Sequence, residues 1–236
     1  MTYLISFGYR CSVASILKKH NLRQESLPFD WLISRLHVIK DCIETNFNNF
    51  LKIENYEKRH TNTYSTKDAN DNFICDEFLN VNLFYQPIEK HNEENTYQYH
   101  LAMNHHNIFD EKDHLYYQRS IERFNGVFYD QSKRKTYIHI YPLALATSSI
   151  RDTLEEIQNF HSFLLSKTTN INGIFFILMR GDKSCYLSEK IEFGKENYIS
   201  IYVIKTNPHF FDAGSIFMGN SHEETEMIEN IILSLV

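Results

Sequence analysis

Cys11 is the side chain of this sequence whose neighbours best equip it to act as a nucleophile. A short run of strand-forming residues, Thr2 to Ser6, leads through Phe7-Gly8-Tyr9-Arg10 to the thiol, and a helical pattern begins at once. Val13, Ala14, Ile16 and Leu17 share one face of that helix, with Lys18 and Lys19 at its far end. A thiol in the first helical turn lies beside backbone N–H groups that lack intrahelical acceptors, at the positive end of the aligned peptide dipoles. Both favour thiolate over thiol, and Arg10 adds a positive neighbour. The same N–H groups can hold the oxyanion that forms when a thiolate attacks a carbonyl. The competing interpretation is structural, since a cysteine without such a duty is a small and usually well-buried hydrophobe.

A cysteine nucleophile needs a base within hydrogen-bond reach and a third group to orient that base. His105 and His106 follow a strand-like run that starts at Tyr97, and sites in open α/β sheets form at the carboxyl ends of strands. Only one of two adjacent side chains can easily face a cleft, and a polar loop in a chain of twelve histidines is the alternative. Asp30 sits in Ser26-Leu27-Pro28-Phe29-Asp30-Trp31 beside the single tryptophan. A carboxylate between two large aromatics needs a specific partner. It could orient a histidine, pair with Arg10 or Arg23, or cap the helix that begins near Ser34.

The elements that must position these groups alternate in type. Strands are expected at residues 2–6, 97–103, 136–141, 174–179 and 199–204, the fourth apolar throughout, as in a strand buried on both faces. Helices are expected at 11–20, 35–51, 112–125, 149–166 and 222–236, where apolar residues recur at three- and four-residue intervals. Pro142 should end its strand. Residues 52–72 read as an irregular excursion, 73–88 as helix or strand, and 89–95 as a charged turn. The alternation favours an α/β fold with a mostly parallel sheet flanked by helices. One domain over 1–236 is expected, with an insertion at about 52–95.

A net charge of −6 with no basic stripe argues against binding nucleic acid, and no apolar stretch approaches membrane-spanning length. The four cysteines, 11, 42, 75 and 185, show neither CxxC pairing nor zinc-site spacing, and the N-terminus lacks a signal-peptide pattern. The expectation is a chain with reduced thiols in the cytoplasm, or in the host cytoplasm if the source is viral. No metal and no cofactor are expected, and the partner is a protein or small-molecule substrate.

Two stretches carry a family resemblance. Gly8-x-x-Cys11-x-x-Ala14-x-x-Leu17, then Leu22-Arg23-x-x-Ser26-x-Pro28-Phe29-Asp30-Trp31-Leu32, resembles the start of a family labelled putative papain-like cysteine peptidases, otherwise a domain of unknown function in bacteria and large DNA viruses. The histidine loop followed by Tyr117-x-Arg119-x-Ile121-x-Arg123-Phe124 is similar to a second stretch of it. The resemblance implies Cys11 as nucleophile and His105 or His106 as base, with His106 preferred because a polar residue, Asn107, follows it. Asn107 stands where the family usually has Asp or a similar polar residue, a departure that weakens any role for an acid there, and Ser120 stands where the family often has another arginine. A papain-like fold would be α+β, with the nucleophile's helix packed on an antiparallel sheet, and that is the alternative architecture.

Three functions follow from these residues. The first is a thiol hydrolase or transferase acting on an amide, isopeptide or thioester bond, with Cys11, His106 or His105, and Asp30. The second is an anion- or nucleotide-sugar-binding domain in which Arg10, Arg23, Trp31, Arg119 and Arg123 contact the ligand, since arginine forks suit phosphate and carboxylate. The third is an inactive interaction scaffold.

Overall fold

Alternating elements do build a mostly parallel sheet. The computed structural model describes residues 2–8, 11–60, 66–67, 73–74, 78–86, 100–103, 105–143, 150–181, 189–196, 199–206 and 222–235. In chain order the strands are β1 Thr2–Ser6, β2 Leu32–Ser34, β3 Tyr56–His60, β4 Thr66–Lys67, β5 Phe73–Ile74, β6 Phe78–Asn82, β7 Leu101–Met103, β8 Arg134–Leu143, β9 Ile171–Gly181, β10 Glu189–Glu196 and β11 Ile199–Thr206. The helices are α1 Ser12–Lys19, α2 Leu36–Glu44, α3 Asn48–Leu51, α4 Glu111–Phe128, α5 Ile150–Lys167 and α6 His222–Leu233. The first sheet has the order β1-β8-β9-β11-β10, with β1, β8, β9 and β11 parallel and β10 an antiparallel edge. The second, β2-β7-β6-β3, is antiparallel throughout, and β4 pairs with β5.

Helices cover both faces of the parallel sheet. On one, Val13, Ile16 and Leu17 of α1 join Ile228, Ile231 and Ile232 of α6 over Leu4, Ile138, Ile140 and Ile177. On the other, residues of α2, α4 and α5 enclose Ile5, Phe7, Tyr137 and Phe176. Strand alternation produces this two-sided burial, because odd and even residues of β8 face opposite layers. The second sheet docks beside β1 through Ser34, whose Oγ donates to the Phe7 carbonyl at 2.8 Å.

Several local expectations are corrected. The helix expected over 35–51 is two helices, because Asn46 (φ 50°) and Phe47 (φ 60°) take left-handed backbone between them. Asn tolerates that conformation. Phe47 is held in it by a fully buried ring among Phe29, Phe50 and Phe124. Pro142 lies inside β8: β1 stops pairing at Ser6↔Ile138, so beyond that point β8 has only β9 as a partner and can accommodate a proline. The excursion at 52–72 contributes β3, and 73–88 contributes strands and a 3-10 turn, Leu83–Tyr85, rather than a helix. The polar edge strand β10 has no counterpart among the expected strands. Residues 89–95 and 97–99 lie outside the described residues.

Gly8 closes β1 with φ +80°, and a Cβ there would stand 2.2 Å from Ser34 Oγ and 3.2 Å from the Phe29 carbonyl oxygen. Gly8→Ala should therefore cost about 2–3 kcal/mol, from left-handed strain and loss of the Ser34 hydrogen bond. Urea denaturation checks this, and a loss below about 0.5 kcal/mol, the range of neutral surface changes, would show that the site is not crowded.

Candidate functional site

Cys11 occupies the N-cap of α1 and is 7% exposed, with no acidic residue in the following turn. Its carbonyl accepts the Ser15 N–H at 2.8 Å, so the helix begins at this residue. The strand-to-helix placement expected for the thiol is thus the one the fold adopts. Arg10 lies outside the described residues, as do Cys75 and Cys185. Cys42 is a fully buried free thiol, and burial pushes it far above the ordinary thiol range.

The histidines stand on the antiparallel sheet, just past the end of β7. His106 Nδ1 lies 3.1 Å from Asp113 Oδ1, and Asp113 Oδ2 accepts the Asn107 N–H at 2.8 Å. Asp113 sits in the first turn of α4, whose N-cap Asp110 accepts from the N–H groups of Lys112 and Asp113. Burial raises the Asp113 carboxyl, but the Asn107 N–H and the His106 ring outweigh it and hold it below the usual range. The His106 ring stacks on Tyr116 at 4.1 Å and meets the edge of Tyr117 at 5.7 Å. The imidazole is therefore fixed in orientation from two sides. His105 lies edge-on to Trp31 at 5.5 Å, and burial together with His106 lowers its pKa.

Asp30 is 2% exposed. Its Oδ2 accepts the Leu27 N–H at 2.9 Å and lies 3.5 Å from Arg23 Nη1. Burial raises its carboxyl to about 7, against the opposing pull of the Leu27 N–H, Arg23 and Arg123. The Arg23 guanidinium is 5.4 Å from the Trp31 ring centre, and Arg123 Nε donates to the Ser26 carbonyl at 2.9 Å. The Arg23 guanidinium thus holds the segment 23–31 together from within, and Arg123 anchors that segment to α4. Arg119 is exposed on α4.

Chained contacts thus connect Arg23, Asp30, Trp31 and His105, while Arg123 braces the same segment and His106 is fixed on α4. Among the described residues the side-chain partners of the two rings are Trp31, Asp113, Tyr116 and Tyr117. The residue missed in sequence is Asp113. Its signal is present there: an acid seven positions after His106, three after the helix-capping Asp110, at the point where a reverse turn brings it back to the imidazole. Among the described residues no group of three His, Cys, Asp or Glu side chains is placed to hold a metal ion. Nor is any helix there long and apolar enough to cross a membrane.

Residues 2–180 match the model of the family described as Putative papain-like cysteine peptidase (DUF1796), and the chain belongs to that family. The matched span holds Cys11, the segment around Asp30, the histidine pair and Asp113. The chain is also similar to an uncharacterized protein of Acanthamoeba polyphaga mimivirus, 29% identical over 213 residues that cover 86% of this chain and 88% of that one. No solved structure matches.

Proposed function

We propose that the protein is a thiol hydrolase in which Cys11 attacks the carbonyl carbon of an amide, isopeptide or thioester. His106 serves as its base and Asp113 holds the ring. The observation that carries this reading is the His106–Asp113 pair, in which the carboxylate takes Nδ1 and leaves Nε2 for a proton. In the first step Nε2 takes the thiol proton and the sulfur bonds to the carbonyl carbon. The tetrahedral oxyanion faces the N–H groups at the start of α1. Collapse breaks the bond to the leaving group, which receives the proton from His106, and water then cleaves the acyl-thioester. The family description supports the peptidase-like class. The thiol and the imidazole come from different sheets, and catalytic hydrogen bonds often tighten only in the bound state.

Alkylation by iodoacetamide as a function of pH tests the pairing. Cys11 should react fastest of the four cysteines, with a midpoint below the ordinary thiol value of about 8.5. His106→Ala should abolish that advantage, and Asp113→Asn should cut it about tenfold by freeing the ring. Equal reactivity of Cys11 and the other three cysteines, or a Cys11 profile unchanged by His106→Ala, would sink the reading. Thermal melts of each variant confirm that the fold is intact.

A further inference from the structure

A cavity of about 340 Å³ lies between α2 and α5, well apart in sequence from the histidine loop, and falls within the size range of small-molecule sites. Leu36 and Phe160 are its buried apolar residues. The polar lining is segregated by helix: His37 and Lys40 project from α2, whereas Glu155, Glu156 and Asn159 project from α5. Among the described residues no ion pair crosses between these walls. The Lys40 ammonium lies 5.5 Å from the Phe163 ring centre.

Two of the polar groups are held from behind. His37 Nε2 is 3.0 Å from His100 Nδ1, which leaves Nδ1 of His37 for the cavity. Glu156 Oε2 accepts the Tyr141 hydroxyl at 2.7 Å, which leaves Oε1. The Arg35 guanidinium in turn lies 5.9 Å from the Tyr141 ring. The cavity also stands at the carboxyl edge of the parallel strands. Tyr141 is near the end of β8, and the Phe160 ring meets the ring of Phe7, just past β1, edge-on at 5.6 Å. That edge is where open α/β sheets bind ligands.

We infer that this cleft binds a zwitterion of dipeptide size. Its ammonium group sits at Glu155 and Glu156, its carboxylate at Lys40 with His37, and an apolar side chain rests on Leu36 and Phe160. A ligand with only one charge would leave one wall unmatched, and a purely apolar one would strip water from both without compensation. The site is independent of the thiol chemistry proposed above.

The test is titration of glycyl-leucine, its N-acetyl form and its C-terminal amide into the full chain carrying Cys11→Ser, which keeps any peptide uncleaved. Calorimetry or backbone amide shifts should show saturable binding of the free dipeptide. Acetylation and amidation should each weaken it at least tenfold. Lys40→Met should remove the penalty for amidation alone, and Glu155→Gln should cut the penalty for acetylation at least threefold. Lack of saturable binding, or equal affinity for the free and capped peptides, overturns the inference. Either result is separate from the alkylation experiment, which reads Cys11 and His106.

Discussion

Phe29→Ala should lower the free energy of unfolding by about 3–5 kcal/mol, a large share of the roughly 5–15 kcal/mol that keeps a protein folded. The Phe29 side chain is fully buried, and its ring meets three others: Phe7 at 6.0 Å, Phe47 at 5.4 Å and Phe124 at 5.7 Å. Those rings belong to the end of β1, the left-handed link between α2 and α3, and α4. One side chain thus joins the parallel sheet to the helices over it, and truncation leaves a void that rigid neighbours cannot fill. Phe84 is the control. At 57% exposed, its replacement by alanine should change stability by less than about 0.5 kcal/mol. Urea denaturation of the two variants makes the comparison, and similar losses would show that the aromatic cluster does not hold these layers together.

The same segment shows why part of the fold was legible in sequence and part was not. Periodic apolar spacing marks α4 and α5, and the continuous run Ile174–Met179 marks β9, because those signals are local. The break at Asn46 and Phe47 is invisible to periodicity: Phe47 stays in phase with the apolar stripe of α2 while its backbone leaves the helix. The pairing of β3 with β6 joins residues that no short window contains, and β10 is an edge strand whose sequence has no continuous apolar run to announce it. Of the candidate site, the thiol at a strand–helix junction and the paired histidines could be read from spacing. The carboxylate that pairs with His106 is a fainter signal, because Asp113 reaches the ring only once the segment Ile108–Asp110 turns the chain back. Asp30 reads as a catalytic acid by residue type alone. Its partners, the Leu27 N–H and Arg23, tie the turn at Leu27–Asp30 together.

The pH dependence of stability should expose that role of Asp30, through a competition with His139. The Asp30 carboxyl, ordinarily at 3.8, is raised to about 7 by burial against the pull of the Leu27 N–H and the two arginines. Between those values the folded chain keeps a proton that the unfolded chain has released. Stability therefore falls as pH rises from about 4 to 7, by about 4 kcal/mol at 1.36 kcal/mol per pKa unit. His139 acts with the opposite sign. It is buried in β8, its Nδ1 donates to the Phe7 carbonyl at 3.3 Å, and burial lowers its pKa from 6.5 to about 3. Between those values the unfolded chain takes up a proton that the folded chain refuses. Its contribution is therefore lost as pH falls from about 6.5 to 3, by about 5 kcal/mol on the same scale. The two slopes nearly cancel between pH 4.5 and 6.5, so for these two groups the wild-type chain should be close to flat there. Asp30→Asn, which keeps an oxygen for the Leu27 N–H, should unmask His139 and lose stability on acidification. His139→Gln, which keeps a donor for the Phe7 carbonyl, should unmask Asp30 and lose stability as pH rises. Urea midpoints at pH 4.5, 5.5 and 6.5 for the three proteins separate these slopes from partly buried pairs such as His106–Asp113, which all three share. If the three curves run parallel, neither buried group carries the charge balance assigned to it.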